Sequence, residues 1–301
     1  MASTAAEFAV LLEPKLSNIW HDPDAPEESK FSRVFNIRDM NKNTITDLEM
    51  AGFGPMQTQP DGDSITYDDP TGTREKSYTY FVRGLGYKVH ERLWRNDLYG
   101  EVASFERDLM DSAVDDTEQS AWDVFNNGFG TTNTGFDALQ LFSTAHTRLD
   151  GGTNQANRPA TDEALSLSAL HNGVIQFKKW VNHRGRPRVY NPKTLIIPSD
   201  LIITADELLS SSLKPGTALN DDNVIKRFGL SFMEAEYLNN TSATAWFMVG
   251  DKHDLNFLWQ FRPQSGMETD FDTETIKRKV RQGYVVGFGR WQGTYGTDGV
   301  A

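Results

Sequence analysis

Cysteine is absent from the 301 residues. That one absence removes disulfides, thiolate nucleophiles and cysteine-ligated metals together, so stability must come from noncovalent contacts or from crosslinks of other chemistry. Long apolar runs are missing as well. No stretch approaches the roughly 20 apolar residues of a membrane-spanning helix, and Met1–Val10 is too short and too uncharged for a secretory signal. Cationic excess is also lacking: 30 Lys and Arg against 42 Asp and Glu give a formal net charge of −12. A protein whose main task is to wrap nucleic acid needs net or strongly clustered positive charge to neutralise phosphates, so this balance speaks against that task. Enclosing DNA at a distance is compatible with it.

The familiar catalytic and cofactor signatures are missing too. The six histidines, His21, His90, His146, His171, His183 and His253, stand at no spacing that makes a two-histidine metal helix, and His-Glu-x-x-His does not occur. No phosphate loop of the Gly-x4-Gly-Lys-Ser type is present, and Gly84-Leu85-Gly86 lacks the third glycine of a dinucleotide site, so these glycines read as a turn or bulge. Ser143 and His146 could suggest a serine hydrolase, yet the Gly-x-Ser-x-Gly elbow is absent. Asp251-Lys252-His253-Asp254 reads as a polar hairpin turn rather than a carboxylate–histidine site. No metal or cofactor is expected, and the chain is not expected to be an enzyme.

What is present is ample apolar material, 38% hydrophobic with 18 Phe and 7 Trp, enough for a large globular core. Residues 1–43 read as an arm: Phe8, Val10, Leu11 and Leu12, a turn-rich Asp22–Glu28, then Phe31, Val34, Phe35 and Ile37, too apolar for a free tail. Residues 44–93 read as short strands divided by Gly52, Gly54-Pro55, Pro60-Asp61-Gly62 and Asp69-Pro70-Thr71-Gly72. Strands are expected at Ser64–Tyr67 and Ser77–Val82. Period two puts Tyr78, Tyr80 and Val82 on one face, and the turns set Ile65 and Tyr67 away from the core.

A long helix is expected from Asn96 or Asp97 to Phe125, closed by Asn126-Asn127-Gly128, with Leu98, Val102, Phe105, Leu109, Ala113 and Ala121 on one stripe. Gly135–His146 reads as a strand and turn. A second helix covers Ser168–Val181, a strand Thr194–Ile197, and a third helix runs from a Ser199 cap to Ser211 with Leu201, Ala205, Leu208 and Leu209 inward. Strands are expected at Ser231–Leu238, Ala245–Val249, Leu255–Phe261 and Thr275–Trp291. The fold class is α+β, with no internal repeat.

Two basic clusters interrupt the acidic background: Lys178, Lys179, Arg184, Arg186, Arg188 and Lys193, then Lys277, Arg278, Lys279, Arg281 and Arg290. Neither interval contains an acidic residue. Trp180, Tyr190 and Trp291 would serve base stacking if these bound nucleic acid. The preferred expectation is that they meet acidic surfaces of neighbouring subunits.

Leu141-Phe142-Ser143-Thr144-Ala145-His146 followed by Gly151-Gly152-Thr153-Asn154 resembles a motif of tailed-phage major head subunits, including those of Mu-like prophages. Asn191–Pro198 with the helix Ala205–Ser210, and Lys277–Tyr284 with Arg290–Gly293, agree with it. The resemblance implies the tailed-phage major-capsid fold: N-terminal arm (1–43), extended β-hairpin loop (44–93), peripheral domain with a spine helix (94–160), axial domain (161–262) and return strands of the peripheral domain (263–301). It implies a virion protein, made in the host cytoplasm, that assembles with itself as pentamers and hexamers into an icosahedral head around double-stranded DNA. Portal, scaffolding and decoration proteins are its expected partners. No long charged helical segment precedes the arm, so scaffolding is expected to be a separate protein or an already removed segment. The extended loop is expected to reach over an adjacent subunit, with Ile65, Tyr67, Tyr78, Tyr80, Val82, Lys277, Arg278, Lys279 and Arg281 at contacts between subunits. Rival readings are an encapsulin-like compartment shell, a soluble hydrolase and an adhesin-like binding module.

Overall fold

The computed structural model describes residues 29–69, 72–95, 101–214, 221–240 and 242–299. Its architecture follows from two runs, Leu195-Ile196-Ile197 and Trp246-Phe247-Met248-Val249, that carry no polar alternation, the pattern of strands buried on both faces. They lie side by side as β5 (Pro192–Ile197) and β7 (Trp246–Gly250), antiparallel. β6 (Ser231–Glu234) runs parallel to β5 and β10 (Thr294–Thr297) antiparallel to β7, giving the order β10-β7-β5-β6.

Each face of this sheet supplies a different core. Ile196, Phe247 and Val249 join Phe31, Phe35, Trp122, Phe125, Phe142 and Phe257 in the first. Leu195, Ile197, Trp246 and Met248 join Leu170, Val174, Phe177 and Trp180 in the second. That second core is roofed by two helices, α3 (Leu167–Lys179) and α4 (Ile202–Ser210). Ser166 caps α3 by accepting from the Ala169 amide at 3.2 Å. Gly173 sits mid-helix because a Cβ there would fall 2.0 Å from the Met248 methyl.

The first core rests on another sheet, order β1-β8-β9-β4. Its strands are β1 (Asn36–Asp39), β4 (Phe81–His90), β8 (Leu255–Asp270) and β9 (Thr275–Phe288). A short helix α1 (Glu91–Arg95) follows β4, and the long helix α2 (Glu101–Asn126) lies along β9. β2 (Thr44–Met50) and β3 (Thr73–Thr79) form a separate antiparallel hairpin. The arm is consistent with its composition: Phe31, Val34 and Phe35 are buried, whereas Ile37 is exposed. Phe8–Leu12 and Asp22–Glu28 lie outside the described residues.

Several sequence expectations are corrected. Ser64–Tyr67 is not a strand; residues 51–72 carry no strand among those described. The hairpin pairs nearer its root, where hydroxyls of Thr44 and Thr79 (3.1 Å) and of Thr46 and Ser77 (3.0 Å) meet across the strands. Ser77–Val82 is broken at Tyr80, where the chain passes from one sheet to another, so Tyr78 and Val82 belong to different sheets. Gly135–His146 forms no continuous strand and pairs by one bridge, His146 to Gln155. Ser199 does not cap α4: its hydroxyl donates to Glu234 at 2.6 Å. β8 runs on to Asp270, through position 262, and β10 joins β7 in the β10-β7-β5-β6 sheet, so neither 161–262 nor 263–301 coincides with one sheet.

Along α2, Leu109, Ala113 and Ala121 are buried as the stripe requires. Phe105 is 37% exposed, its ring edge-on to Tyr87 at 5.9 Å between centroids, so it is a rim residue and not part of the core. Leu98 and the side chain of Val102 lie outside the described residues. The stripe is also less apolar than the sequence suggests, because Glu106 is buried within it.

Phe247 tests the double-sided sheet. Its ring lies 5.2 Å from that of Phe125 and 5.1 Å from that of Phe142. Phe247→Ala should cost about 3–5 kcal/mol in urea unfolding of the dissociated subunit; a loss below about 1 kcal/mol would show that this packing is not central.

Candidate intersubunit surfaces

The sequence-predicted contact residues separate by the direction in which each strand turns them. Tyr78 pairs with Ile45 in the hairpin and is 2% exposed, packed with Met40 and Leu258 of its own chain. Burial pushes its phenol far above the usual tyrosine range, with Asp254 adding to the effect. It is a core residue and cannot meet a neighbour. Tyr80 is half-buried against the same cluster. Val82, on β4, is exposed.

From the end of β2 onward the large apolar side chains turn outward. Leu48, Met50, Phe53, Met56, Ile65 and Tyr67 are all exposed, Met56 and Tyr67 almost completely. Monomers rarely leave so many large apolar groups along one segment, and such segments mark contact surfaces. The root of the same segment is tied down. Arg184 donates to the carbonyls of Gly52 at 3.2 Å and Asp69 at 2.9 Å, gripping both legs with one guanidinium. The buried Glu49 carboxylate lies 3.1 Å from His183 Nε2 and 3.0 Å from Arg290 Nε. Lys76 Nζ donates to the Thr134 carbonyl at 2.7 Å. A fixed root therefore presents a bare tip.

The second basic cluster obeys period two along β9. Arg278, Val280, Gln282 and Tyr284 face α2; Lys277, Lys279 and Arg281 face away. Arg278 is thus not an intersubunit cation: it is 6% exposed, with Nη1 3.8 Å from Glu106, which also accepts from the Tyr87 hydroxyl at 2.9 Å. Gln282 donates to Asp116 at 2.8 Å, and the Tyr284 hydroxyl to the same carboxylate at 2.7 Å. Neither the buried Glu106 nor its partnership with Arg278 was foreseen; the alternation of Arg278 with Lys277 and Lys279, set beside a helix, was the available signal.

In the first cluster Arg184 serves the loop root, and Lys178 is engaged with Asn191. Arg188 lines a groove of about 890 Å³ with Glu49, His183, Tyr190, Lys252 and Arg290. The groove is of mixed sign, and its Glu49 carboxylate is engaged by His183 and Arg290 in holding the loop root. The neighbouring turn is locally satisfied: Asp251 accepts from the Asn191 amide at 3.1 Å and Asp254 from the Arg290 amide at 3.0 Å. Burial lowers the His253 pKa, and Lys193 adds to that, holding the imidazole towards its neutral form.

The hydrolase reading fails on geometry. His146 is fully buried, with Nδ1 2.6 Å from Asp137 and Nε2 3.0 Å from the Asn157 side-chain oxygen, and its ring stacks on Trp291 at 4.4 Å. Ser143 Oγ accepts instead from the Ala145 amide at 3.2 Å. Serine and histidine are both spent on shaping a loop. Among the described residues no group of three or more His, Asp or Glu could hold a metal ion, and no helix is long and apolar enough to cross a membrane.

Comparison with known proteins agrees with a structural role. A family model described as phage capsid protein matches residues 75–296. No curated protein matches. Among solved structures the chain is similar to the capsid of an empty GTA particle, with a TM-score of 0.60 at 8% identity over 100% of both chains. It is also similar to the bacteriophage JBD30 capsid, with a TM-score of 0.58 at 11% identity over 74% of this chain and 95% of that one. For Mycobacterium phage Che8 the TM-score is 0.53 at 10% identity over 89% and 90%. At these identities the structural likeness speaks for the fold, while the family match spans most of the sequence. The chain therefore belongs to the phage capsid protein family, and it is a virion component that forms the head shell and not an enzyme.

Proposed function

We propose that the chain tiles an icosahedral head as pentamers and hexamers enclosing double-stranded DNA, and that residues 51–69 cover part of an adjacent subunit. The observation that carries this reading is the contrast within one hairpin: a root held by Arg184, Glu49 and Lys76, and a tip with Phe53, Met56, Ile65 and Tyr67 bare. Exposed apolar area of this kind gains about 25 cal/mol per Å² when covered, and a shell repeats the gain at every subunit.

In the same reading, the core beneath α2 and the β1-β8-β9-β4 sheet is the peripheral part of the subunit, and the core beneath α3 and α4 is the axial part. The double-sided sheet β10-β7-β5-β6 is their shared wall. DNA is enclosed without sequence-specific binding, in keeping with the net charge of −12. Portal and scaffolding proteins are the partners assigned to such a head, with decoration proteins an optional addition. Assembly takes place in the host cytoplasm.

Replacing Gly54–Tyr67 by a Gly-Ser linker of equal length leaves every root contact in place. The isolated subunit should keep its stability to within about 0.5 kcal/mol, as surface changes do, while closed particles disappear from sedimentation and negative-stain images. Normal particles from this variant would contradict the assignment of the tip.

A further inference from the structure

We propose that the face of the β1-β8-β9-β4 sheet turned away from α2, at the end around Lys277–Arg281 that the hairpin and Met40 leave uncovered, binds the acidic outer face of α2 on a second copy of this chain. This rests on the shell reading above and names the two faces that meet. On β9, Lys277, Lys279 and Arg281 alternate with the four residues that contact α2, so all three project from the opposite side of the sheet. The register places Lys88 of β4 beside Lys277, extending the row. The acids on that face are Glu268, opposite Lys277, and Asp270, whose carboxylate lies 3.1 Å from Lys277 Nζ. Four cations thus stand against two carboxylates. Lys88 and Lys279 have no ion pair among the described residues, and Arg281 rests over the Phe261 ring at 5.7 Å.

The flanks of this row are shaved. Gly84 pairs with Arg281, and Gly86 and Gly266 pair with Lys279 from either side. A Cβ at Gly86 would stand 3.2 Å from Lys279 Cβ, and one at Gly266 3.3 Å from Lys279 Cε. Side chains at these positions would bury the ammonium group in a furrow. With glycine there, the cations form a ridge that a flat partner can reach.

The complementary surface lies on the far side of the same two-layer unit. With Glu106, Leu109 and Ala113 of α2 turned to the sheet, helical spacing puts Asp108, Asp111 and Asp115 on the other side, and all three are exposed. Arg107 borders this stripe, and the Tyr237 hydroxyl donates to Asp115 at 2.8 Å. Lys277 to Arg281 spans about 13 Å of strand, and Asp108 to Asp115 about 10 Å of helix. The two rows match in length. Subunits that each carry −12 repel one another overall, so association needs local faces of opposite sign. A contact between two different faces of one chain is heterologous, the kind that closes into rings.

Charge reversal decides the matter. Lys279→Glu with Arg281→Glu, and separately Asp108→Lys with Asp111→Lys, should each lower the yield of closed particles at low salt by more than about tenfold. Circular dichroism and the melting temperature of the dissociated subunit should stay at wild-type values. A chain carrying all four reversals presents the same complementarity inverted and should recover particles. Wild-type yield from either pair of reversals overturns the proposal, as does failure of the fourfold variant to recover while its subunit melts normally. If a reversal unfolds the subunit, Lys279→Gln with Arg281→Gln takes its place, and undiminished yield from that variant overturns the proposal equally. A wild-type chain that forms no particles would instead overturn the shell reading itself.

Discussion

Burial of one sheet on both faces is the constraint from which the rest of the molecule follows. β5 and β7 can be apolar at every position because each face has its own covering, phenylalanine-rich on one side and helix-covered on the other. Remove either cover and alternate residues of the run would meet water. Ile196 and Phe247 would be stranded in one case, Leu195 and Met248 in the other. Two cores sharing one wall cannot slide independently, since interiors packed to this density transmit displacement rather than absorb it. This gives a subunit stiff enough to have defined edges.

The second organising device is the alternation of β9. One strand supplies a buried set, Arg278, Val280, Gln282 and Tyr284, and an outward set, Lys277, Lys279 and Arg281. The buried set fixes α2 through hydrogen bonds to Asp116 and the Arg278–Glu106 pair. Removing one partner of such a buried pair costs about 3–5 kcal/mol, because the other charge remains desolvated. The outward set contributes little to the isolated fold. A shell subunit needs this separation: strong terms inside to set the geometry, and weak, salt-sensitive terms outside that add up only when many copies meet.

Much of this was legible in the sequence wherever a residue type had one physical option. The unbroken runs at Leu195 and Trp246, the stripe through Leu109 and Ala113, and the burial of Phe31 and Phe35 needed no knowledge of partners. Ile65 and Tyr67 were correctly read as lying off the core, although not as strand residues, because nothing local replaced the missing ladder. Tyr78 was misread: a tyrosine at a hairpin root and one at its tip look alike until the floor beneath the root, Met40 and Leu258, is known. Arg278 was misread for a related reason. A run of cations suggests one solvated surface, yet period two sends its members to opposite sides, and the acid that receives Arg278 is 172 positions away in sequence at Glu106. The alternation shows that Arg278 turns to the side opposite Lys277 and Lys279, but not which residue receives it.

Electron cryo-microscopy of the purified chain tests the central claim most directly, because subunit and neighbour are seen together. The account predicts closed shells in which residues 51–69 lie against an adjacent subunit while Tyr78 and Arg278 stay within their own. A monodisperse monomer, or shells in which residues 51–69 touch no neighbour, would contradict it.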